Sequence, residues 1–471
     1  MTDPQPAAEP EHEEATRPGG GFELDPDLVA AVVASLEGRD EQRVRDLVGP
    51  LHDAEIADLI QKLGSENRRA LVVAIRESFR PDILVELDER VRDEVMEALG
   101  PRETAAAVAE LDTDDAILVV SELDEREQQQ VLDAIPPTDR ALIEQGLSYP
   151  EYSAGRLMQR ELVAAPLFWT VGETIDFLRR TADEEPDSLP GDFYDIFVVD
   201  PGHRPVGAIP LSHLLRTRRP VPLADIMTTE MKVIAAETDQ EDVAFLFRQR
   251  DLTSAPVVDE GGRLVGVITI DDVVDVIDEE LEDDMMRLGG LAVDDLYSAT
   301  VETARSRFWW LLVNLGTAIL ASLVIGLFDA TIEQMVALAV LMPIVASMGG
   351  NAGTQTLTVA VRALATRELT ATNALRVIGK ELMVGGVNGV LFAVLSGIVA
   401  WLWFGNPAIA AILGLAMIIN LVVAALAGAV IPLLLDRFGI DPAIASGVFL
   451  TTITDVVGFF AFLGLAAWLL L

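Results

Sequence analysis

Leu382–Leu435 reads LMVGGVNGVLFAVLSGIVAWLWFGNPAIAAILGLAMIINLVVAALAGAVIPLLL, 54 residues without a charge. A helix needs about 20 apolar residues to cross a bilayer core, so this run is too long for one crossing. Gly405, Asn406 and Pro407 carry a turn signal near its middle, which divides it into two helices. Working outward, Phe308–Phe328 and Gln334–Val361 are also uncharged. Pro442–Leu471 completes the set, interrupted by a single charge, Asp455. The pattern predicts an all-α, five-helix membrane domain over residues 305–471.

Loop basicity gives the orientation. Arg305 and Arg307 precede the first run, and Arg362, Arg367, Arg376 and Lys380 lie between the second and third. The loops after the first and third runs contain neither Lys nor Arg. The excess of positive charge marks the cytoplasmic side. The N-terminal 300 residues are therefore expected in the cytoplasm and the C-terminus outside the cytoplasmic (inner) membrane. Met1 opens a polar tail with no apolar h-region, so no cleaved signal is expected.

Charge separates the chain into two parts. Of 471 residues, 34 are Lys or Arg and 75 Asp or Glu, a net charge of −41. Val301–Leu471 holds seven basic and eight acidic residues, so nearly all the excess lies in the first 300. This resolves the combination of a positive mean hydropathy (+0.35) with so many acids. Such an acidic chain repels a phosphate backbone, which argues against nucleic acid as a partner. The absence of Cys removes disulfides, thiolate metal sites and cysteine nucleophiles.

Residues 1–22 are rich in Pro, Glu and Gly and predict a disordered tail. Over 23–150, apolar positions such as Ile56, Leu59, Ile60 and Leu63 recur at helical spacing. Turn signals at Gly49-Pro50, Gly64, Gly100-Pro101 and Pro136-Pro137 cut this part into short helices, an α-superhelical pattern. The four histidines (His12, His52, His203, His213) are scattered, and no catalytic constellation is present, so an enzyme is not expected. Within 151–282 an internal repeat appears at an offset of 59. Val198, Val199, Asp200, Gly202, Val206, Gly207 and Ile209 return as Val257, Val258, Asp259, Gly261, Val265, Gly266 and Ile268. Each copy reads as helix, strand, turn, strand, helix, which resembles a tandem pair of α/β CBS domains. In that family a Thr-x-x-Asp after the second strand often meets a nucleotide ribose. Thr269 and Asp272 have that spacing in the second copy, whereas the first has Pro210 and His213. The resemblance thus implies a possible ATP-type site in one copy only.

Three features carry chemistry. Asp271, Asp272, Asp275, Asp278, Glu279, Glu280, Glu282, Asp283 and Asp284 place nine acids in fourteen residues with no base between them. Several share one helical face, where like charges at i, i+4 repel. One reading is a solvated acidic face. The other is a divalent-cation site, since oxygen-only ligands suit hard ions such as Mg²⁺. The second feature is Asp455, a carboxylate inside a span, which costs about 2.5–3.5 kcal/mol on insertion scales. Either neighbouring Thr hydroxyls satisfy it near the interface, or it belongs to a cation pathway. The third is Gly349-Gly350-Asn351 with Gln355, following Pro343. Its glycines permit close helix packing or a broken helix whose carbonyls face a cavity.

Together these features resemble the MgtE magnesium-channel family across nearly the whole chain. The specific pieces are P-x-x-x-x-x-G-G-N-x-G-x-Q (Pro343–Gln355), R-A-L-A (Arg362–Ala365), D-P-A (Asp441–Ala443) and T-x-x-D (Thr452–Asp455). The resemblance implies a homodimeric Mg²⁺ channel in a lipid bilayer, closed by Mg²⁺ on its cytosolic domains, with a connecting helix at 283–304. It implies Asp455 as the pore carboxylate. It implies Glu241, Asp251, Asp272, Asp275, Asp278, Glu280, Asp283 and Asp284 as regulatory metal positions. Gly447 stands where some members carry Asn. Transport of Mn²⁺ or Co²⁺ instead, or a membrane-anchored nucleotide sensor, are the alternatives that the residues leave open.

Overall fold

The computed structural model describes residues 24–184, 189–291 and 300–470. The predicted tail at 1–22 lies outside them, as do residues 292–299 of the predicted connecting segment. The chain falls into two compact units. One comprises 1–237 with 256–267, and the other 238–255 with 268–471.

The first unit opens with short helices from Pro26–Glu37 to Pro137–Leu147, as the turn signals predict. Their apolar stripes meet in one core that includes Val32, Leu59, Ile60, Leu71, Val91 and Ile117. Short helices leave many terminal carbonyls without intrahelical donors, and here one recurring device supplies them. Arg68 donates from Nε to the Ile60 carbonyl (3.1 Å) and from Nη2 to that of Leu63 (3.0 Å). Arg92 repeats this toward Leu84 (2.7 Å) and Leu87 (2.6 Å). The free end of each guanidinium pairs with a carboxylate, Glu94 and Glu122 respectively. Both arginines are buried, so the superhelix is held by charged clamps as well as apolar packing.

The repeat at offset 59 is realised residue for residue in the hairpin strands. Strands Asp195–Val199 and Pro205–Pro210 in the first copy correspond to Ser254–Val258 and Leu264–Thr269 in the second. Each pair forms a three-stranded sheet with a short strand, Ala164–Pro166 or Ile234–Ala235, added parallel. The hairpin turn needs one residue with positive φ. Gly262 supplies it in the second copy (75°) and His203 in the first (62°).

In the second unit, the helix Gln240–Arg250 and the long helix Ile270–Leu288 accompany the membrane-type helices. The long helix passes the predicted boundary at 282/283 without a break, so the acidic run is continuous with the second copy of the repeat. Five helices among the described residues are long and apolar enough to cross a membrane. They are Thr300–Gly326, Ala337–Ala365, Ala374–Phe404, Pro407–Arg437 and Pro442–Leu470, called spans one to five. The Gly-Asn-Pro turn separates spans three and four. Gly405 ends span three with φ 66°, and the Asn406 side chain accepts from the Ala408 amide (2.9 Å). Spans two, four and five share an apolar cluster around Leu341, Val345, Leu413 and Phe462.

Candidate cation path and acidic sensor

Asp455 sits half-buried in span five. Its threonine neighbours do not serve it. Thr451 donates to the Gly447 carbonyl (3.1 Å), Thr452 to that of Val448 (2.6 Å) and Thr454 to that of Thr451 (3.0 Å). These hydroxyls are committed to their own helix, which removes the interfacial reading in which they satisfy the carboxylate.

Span two runs unbroken through Gly349 and Gly350 despite Pro343, so the broken-helix reading of this motif does not hold. The two faces of the motif differ. Gly349 and Gly353 are buried: a methyl on Gly349 would lie 2.2 Å from Asn420 Nδ2, and one on Gly353 would lie 2.7 Å from Leu450 Cδ1. Asn351, Thr354 and Gln355 are exposed in the single chain. A polar stripe on a spanning helix is disfavoured against lipid and suits a water-lined path. Span three adds Glu381, which belongs to no motif in the sequence. It is buried, accepts from Thr356 Oγ1 (3.2 Å) and lies 3.7 Å from Lys380 Nζ.

The acidic helix begins directly after Thr269, whose Oγ1 donates to Asp272 Oδ2 (3.0 Å). Burial, with the neighbouring charge of Asp271, pushes the Asp272 carboxyl up to about 7. Burial and Asp278 raise Asp275, and burial and Glu280 raise Glu279. Glu241, on the facing helix, is raised by burial, Glu280, Asp239 and Asp284. Asp284 is raised by burial, Asp441 and Glu280. Gln240 Nε2 donates to Glu280 Oε1 (2.9 Å), which ties the two helices at this point. Glu241, Glu280 and Asp284 therefore share one field. Asp251 does not join them: it caps the far end of Gln240–Arg250 in a left-handed conformation (φ 51°). Among the described residues, no three acidic or imidazole groups are close enough to form a complete metal cage.

Two arginines interleave with these acids. Arg287 bridges Asp283 and Asp441, both at 2.5 Å, and so fastens the end of the acidic helix to the start of span five. Next to it, Leu288 packs on a cluster containing Leu357, Val361, Ala443 and Leu450. Gly447 faces the Leu288 carbonyl, which a methyl there would approach to 3.9 Å. The loop between spans two and three contributes Arg367, which pairs with Asp242 and lies 4.5 Å over the Phe245 ring.

A cavity of about 450 Å³ lies in the first unit, lined by residues that include Arg160, Phe177, Thr181 and His203. Two buried guanidinium nitrogens of Arg160, Nε and Nη2, have no hydrogen-bond partner among the described residues.

Comparisons with known proteins agree with this layout. Residues 342–465 match the MgtE family model, described as a divalent cation transporter. Residues 51–152 match the MgtE intracellular N domain, and 223–279 match the CBS domain. The chain is 34% identical over 450 residues to the magnesium transporter MgtE of Thermus thermophilus, covering 94% of this chain and 98% of that protein. It is 28% identical over 441 residues to the Bacillus subtilis magnesium transporter MgtE, covering 93% and 97%. Among solved structures, the cytosolic domain of the Mg²⁺ channel MgtE in complex with ATP aligns at 32% identity with a TM-score of 0.47. That alignment covers 53% of this chain and 99% of the other. The soluble part of a magnesium transporter aligns at 27% identity with a TM-score of 0.46, covering 54% and 98%.

Proposed function

The chain belongs to the MgtE family of magnesium transporters, and from that premise we propose that it is a homodimeric Mg²⁺ channel for uptake, closed by cytosolic Mg²⁺. The observation that carries the proposal is Asp455, an intramembrane carboxylate whose threonine neighbours spend their hydroxyls elsewhere. Mg²⁺ gives up its waters reluctantly and takes few protein ligands. Two Asp455 carboxylates, one per subunit, balance one hydrated divalent ion on a two-fold axis. The exposed amides of Asn351 and Gln355 serve as hydrogen-bonding partners for its water shell. The inside-negative potential drives entry by about 2.3 kcal/mol per charge per 100 mV, doubled for Mg²⁺. The distribution of Arg and Lys supports a cytoplasmic N-terminus in the inner membrane, with 23–150, 151–282 and the acidic helix all on the cytosolic side.

The gate follows from the acids. Glu241, Asp272, Asp275, Asp278, Glu280, Asp283 and Asp284 form an oxygen-only set that fits a hard divalent ion. Burial is the main cause that raises these carboxyls, with neighbouring carboxylates adding to it, and a bound cation offsets both. Without a complete cage among the described residues of one chain, bound Mg²⁺ keeps waters or takes ligands from the partner subunit. Bridging ions favour the compact, closed state because they bind it better than the open one. The unpaired Arg160 nitrogens suit a nucleotide phosphate in the 450 Å³ cavity. Thr269 spends its hydroxyl on Asp272 and supports a nucleotide less well.

Flux into liposomes containing the full-length protein tests the pore. Asp455→Asn keeps size and polarity, so flux of Mg²⁺ should collapse while insertion and a cross-linked dimer persist. Wild-type flux from Asp455→Asn would sink the assignment. Running Mn²⁺ and Co²⁺ in parallel ranks the competing substrates.

A further inference from the structure

Span four is apolar from Pro407 to Leu435 with one exception, Asn420. This amide is fully buried. Its Nδ2 donates to the Val345 carbonyl of span two (2.8 Å), and its Oδ1 has no partner among the described residues. Two glycines from different spans make its niche. A methyl on Gly349 would lie 2.2 Å from Nδ2, and one on Gly458 would lie 2.8 Å from the same atom. Burying an amide in a membrane interior is costly, and Leu would fill a similar volume without that cost. The position therefore does more than fill space.

The niche joins the two elements that carry the polar groups of the path. Gly349 lies two residues before Asn351, and Gly458 lies three residues after Asp455. Glycines at a crossing let backbones approach closely; the Asn420–Val345 hydrogen bond fixes the rotation and depth of span two against span four, and the same side chain, packed beside Gly458, sets how closely span five approaches. Without it, span four loses its directional contact with span two at this level, and span five loses the side chain that fills the space beside Gly458. We propose that Asn420 is a positioning residue, which sets the register between Asp455 on span five and Asn351 and Gln355 on span two. The proposal rests on the reading of Asp455 as the pore carboxylate.

A size-swap experiment on the full-length protein in liposomes tests this, with Mg²⁺, Mn²⁺ and Co²⁺ as the probes. Gly349→Ala alone should lower maximal Mg²⁺ flux roughly ten- to hundredfold, the scale on which ångström-level misplacement acts. Asn420→Ala alone should raise the half-saturating Mg²⁺ concentration and narrow the preference for Mg²⁺ over Mn²⁺ and Co²⁺. In the double variant the added methyl enters the vacated space, and maximal flux should recover above that of Gly349→Ala. Asn420→Leu, which keeps volume but removes the donor, should show the altered selectivity of Asn420→Ala. Size-exclusion profile and thermal unfolding in detergent restrict the comparison to folded dimers. If Asn420→Leu inserts poorly, the Gly349→Ala pair still decides. The proposal is overturned if folded Asn420→Leu and Asn420→Ala keep wild-type selectivity and half-saturation, or if the double variant is no better than Gly349→Ala. Asp455→Asn, run alongside, separates the two ideas: full flux from it removes the pore reading and the pin with it, whereas loss of flux leaves the Asn420 series to judge the pin alone.

Discussion

Closure by internal Mg²⁺ should depend steeply on pH between about 6 and 8, and Asp272 gives the size of the effect. Metal ligands must be deprotonated to bind, so a proton on the carboxyl competes directly with the cation. With the Asp272 carboxyl pushed up to about 7, it is about nine-tenths protonated at pH 6 and about one-tenth at pH 8. The apparent affinity at a site using this group then differs by about tenfold between those values. Glu241, Asp275, Glu279 and Asp284 are raised as well and act in the same direction. The same shift has a consequence for stability in the absence of cations. A carboxyl at 3.8 when unfolded and about 7 when folded stays protonated in the fold and costs nothing below about pH 4. The penalty grows as pH rises through that interval and reaches about 4 kcal/mol above pH 7. The assay is flux at zero internal Mg²⁺, to normalise for the pore, followed by titration of internal Mg²⁺ near pH 6 and pH 8. The half-inhibiting concentration should rise about tenfold at the lower pH. Asp272→Asn should weaken inhibition, reduce that pH dependence, and stabilise the cation-free protein at pH 8 more than at pH 5. An equal half-inhibiting concentration at both pH values would refute the argument.

Hydropathy and repetition are local signals, and the features that depend on them were legible. The five spans and the Gly405–Pro407 turn follow from runs of neighbouring residues, and the offset of 59 from matching one such run against another. Contacts between distant segments were not. Arg287 meets Asp441 across 154 positions, and Asn420 meets Val345 across 75. Asp441 lies in the D-P-A motif and Asn420 is the one polar residue from Pro407 to Leu435, but nothing in the sequence pairs either with its partner. The motif at Gly349–Gln355 was half readable. Its composition admitted both packing and a broken helix, and the choice depends on Asn420 and Leu450, which fill the space beside Gly349 and Gly353. Asp455 shows the same limit, since adjacent threonines look like partners until their hydroxyls are traced to helix carbonyls. The arginine clamps of the first unit did leave a trace. Arg68 and Arg92 each reach carbonyls eight and five residues back, a recurrence that a search for charged repeats would find.

Arg92→Met should destabilise the first unit by about 2–4 kcal/mol, because it unpairs the half-buried Glu122 and frees buried helix-end carbonyls; chemical unfolding measures this, and a loss below about 1 kcal/mol would contradict it. Arg367→Ala breaks an exposed pair with Asp242 and a cation–π contact, so stability should change by no more than about 1 kcal/mol. Removing this positive charge beside Glu241 should nonetheless lower the internal Mg²⁺ needed for closure, and an unchanged or raised half-inhibiting concentration would be evidence against the shared field. Glu381→Gln tests whether the buried carboxylate of span three serves the path or only the packing. The glutamine carbonyl still accepts from Thr356, so the fold and the dimer should persist, while the negative charge beside Lys380 is lost. If Glu381 acts on the path, its charge is worth at most about 1 kcal/mol through a high dielectric, roughly fivefold in flux. Mg²⁺ flux from Glu381→Gln should therefore fall by up to that factor, more strongly at low salt, where screening is weaker. Flux equal to wild type at every ionic strength would leave Glu381 a purely structural acceptor for Thr356.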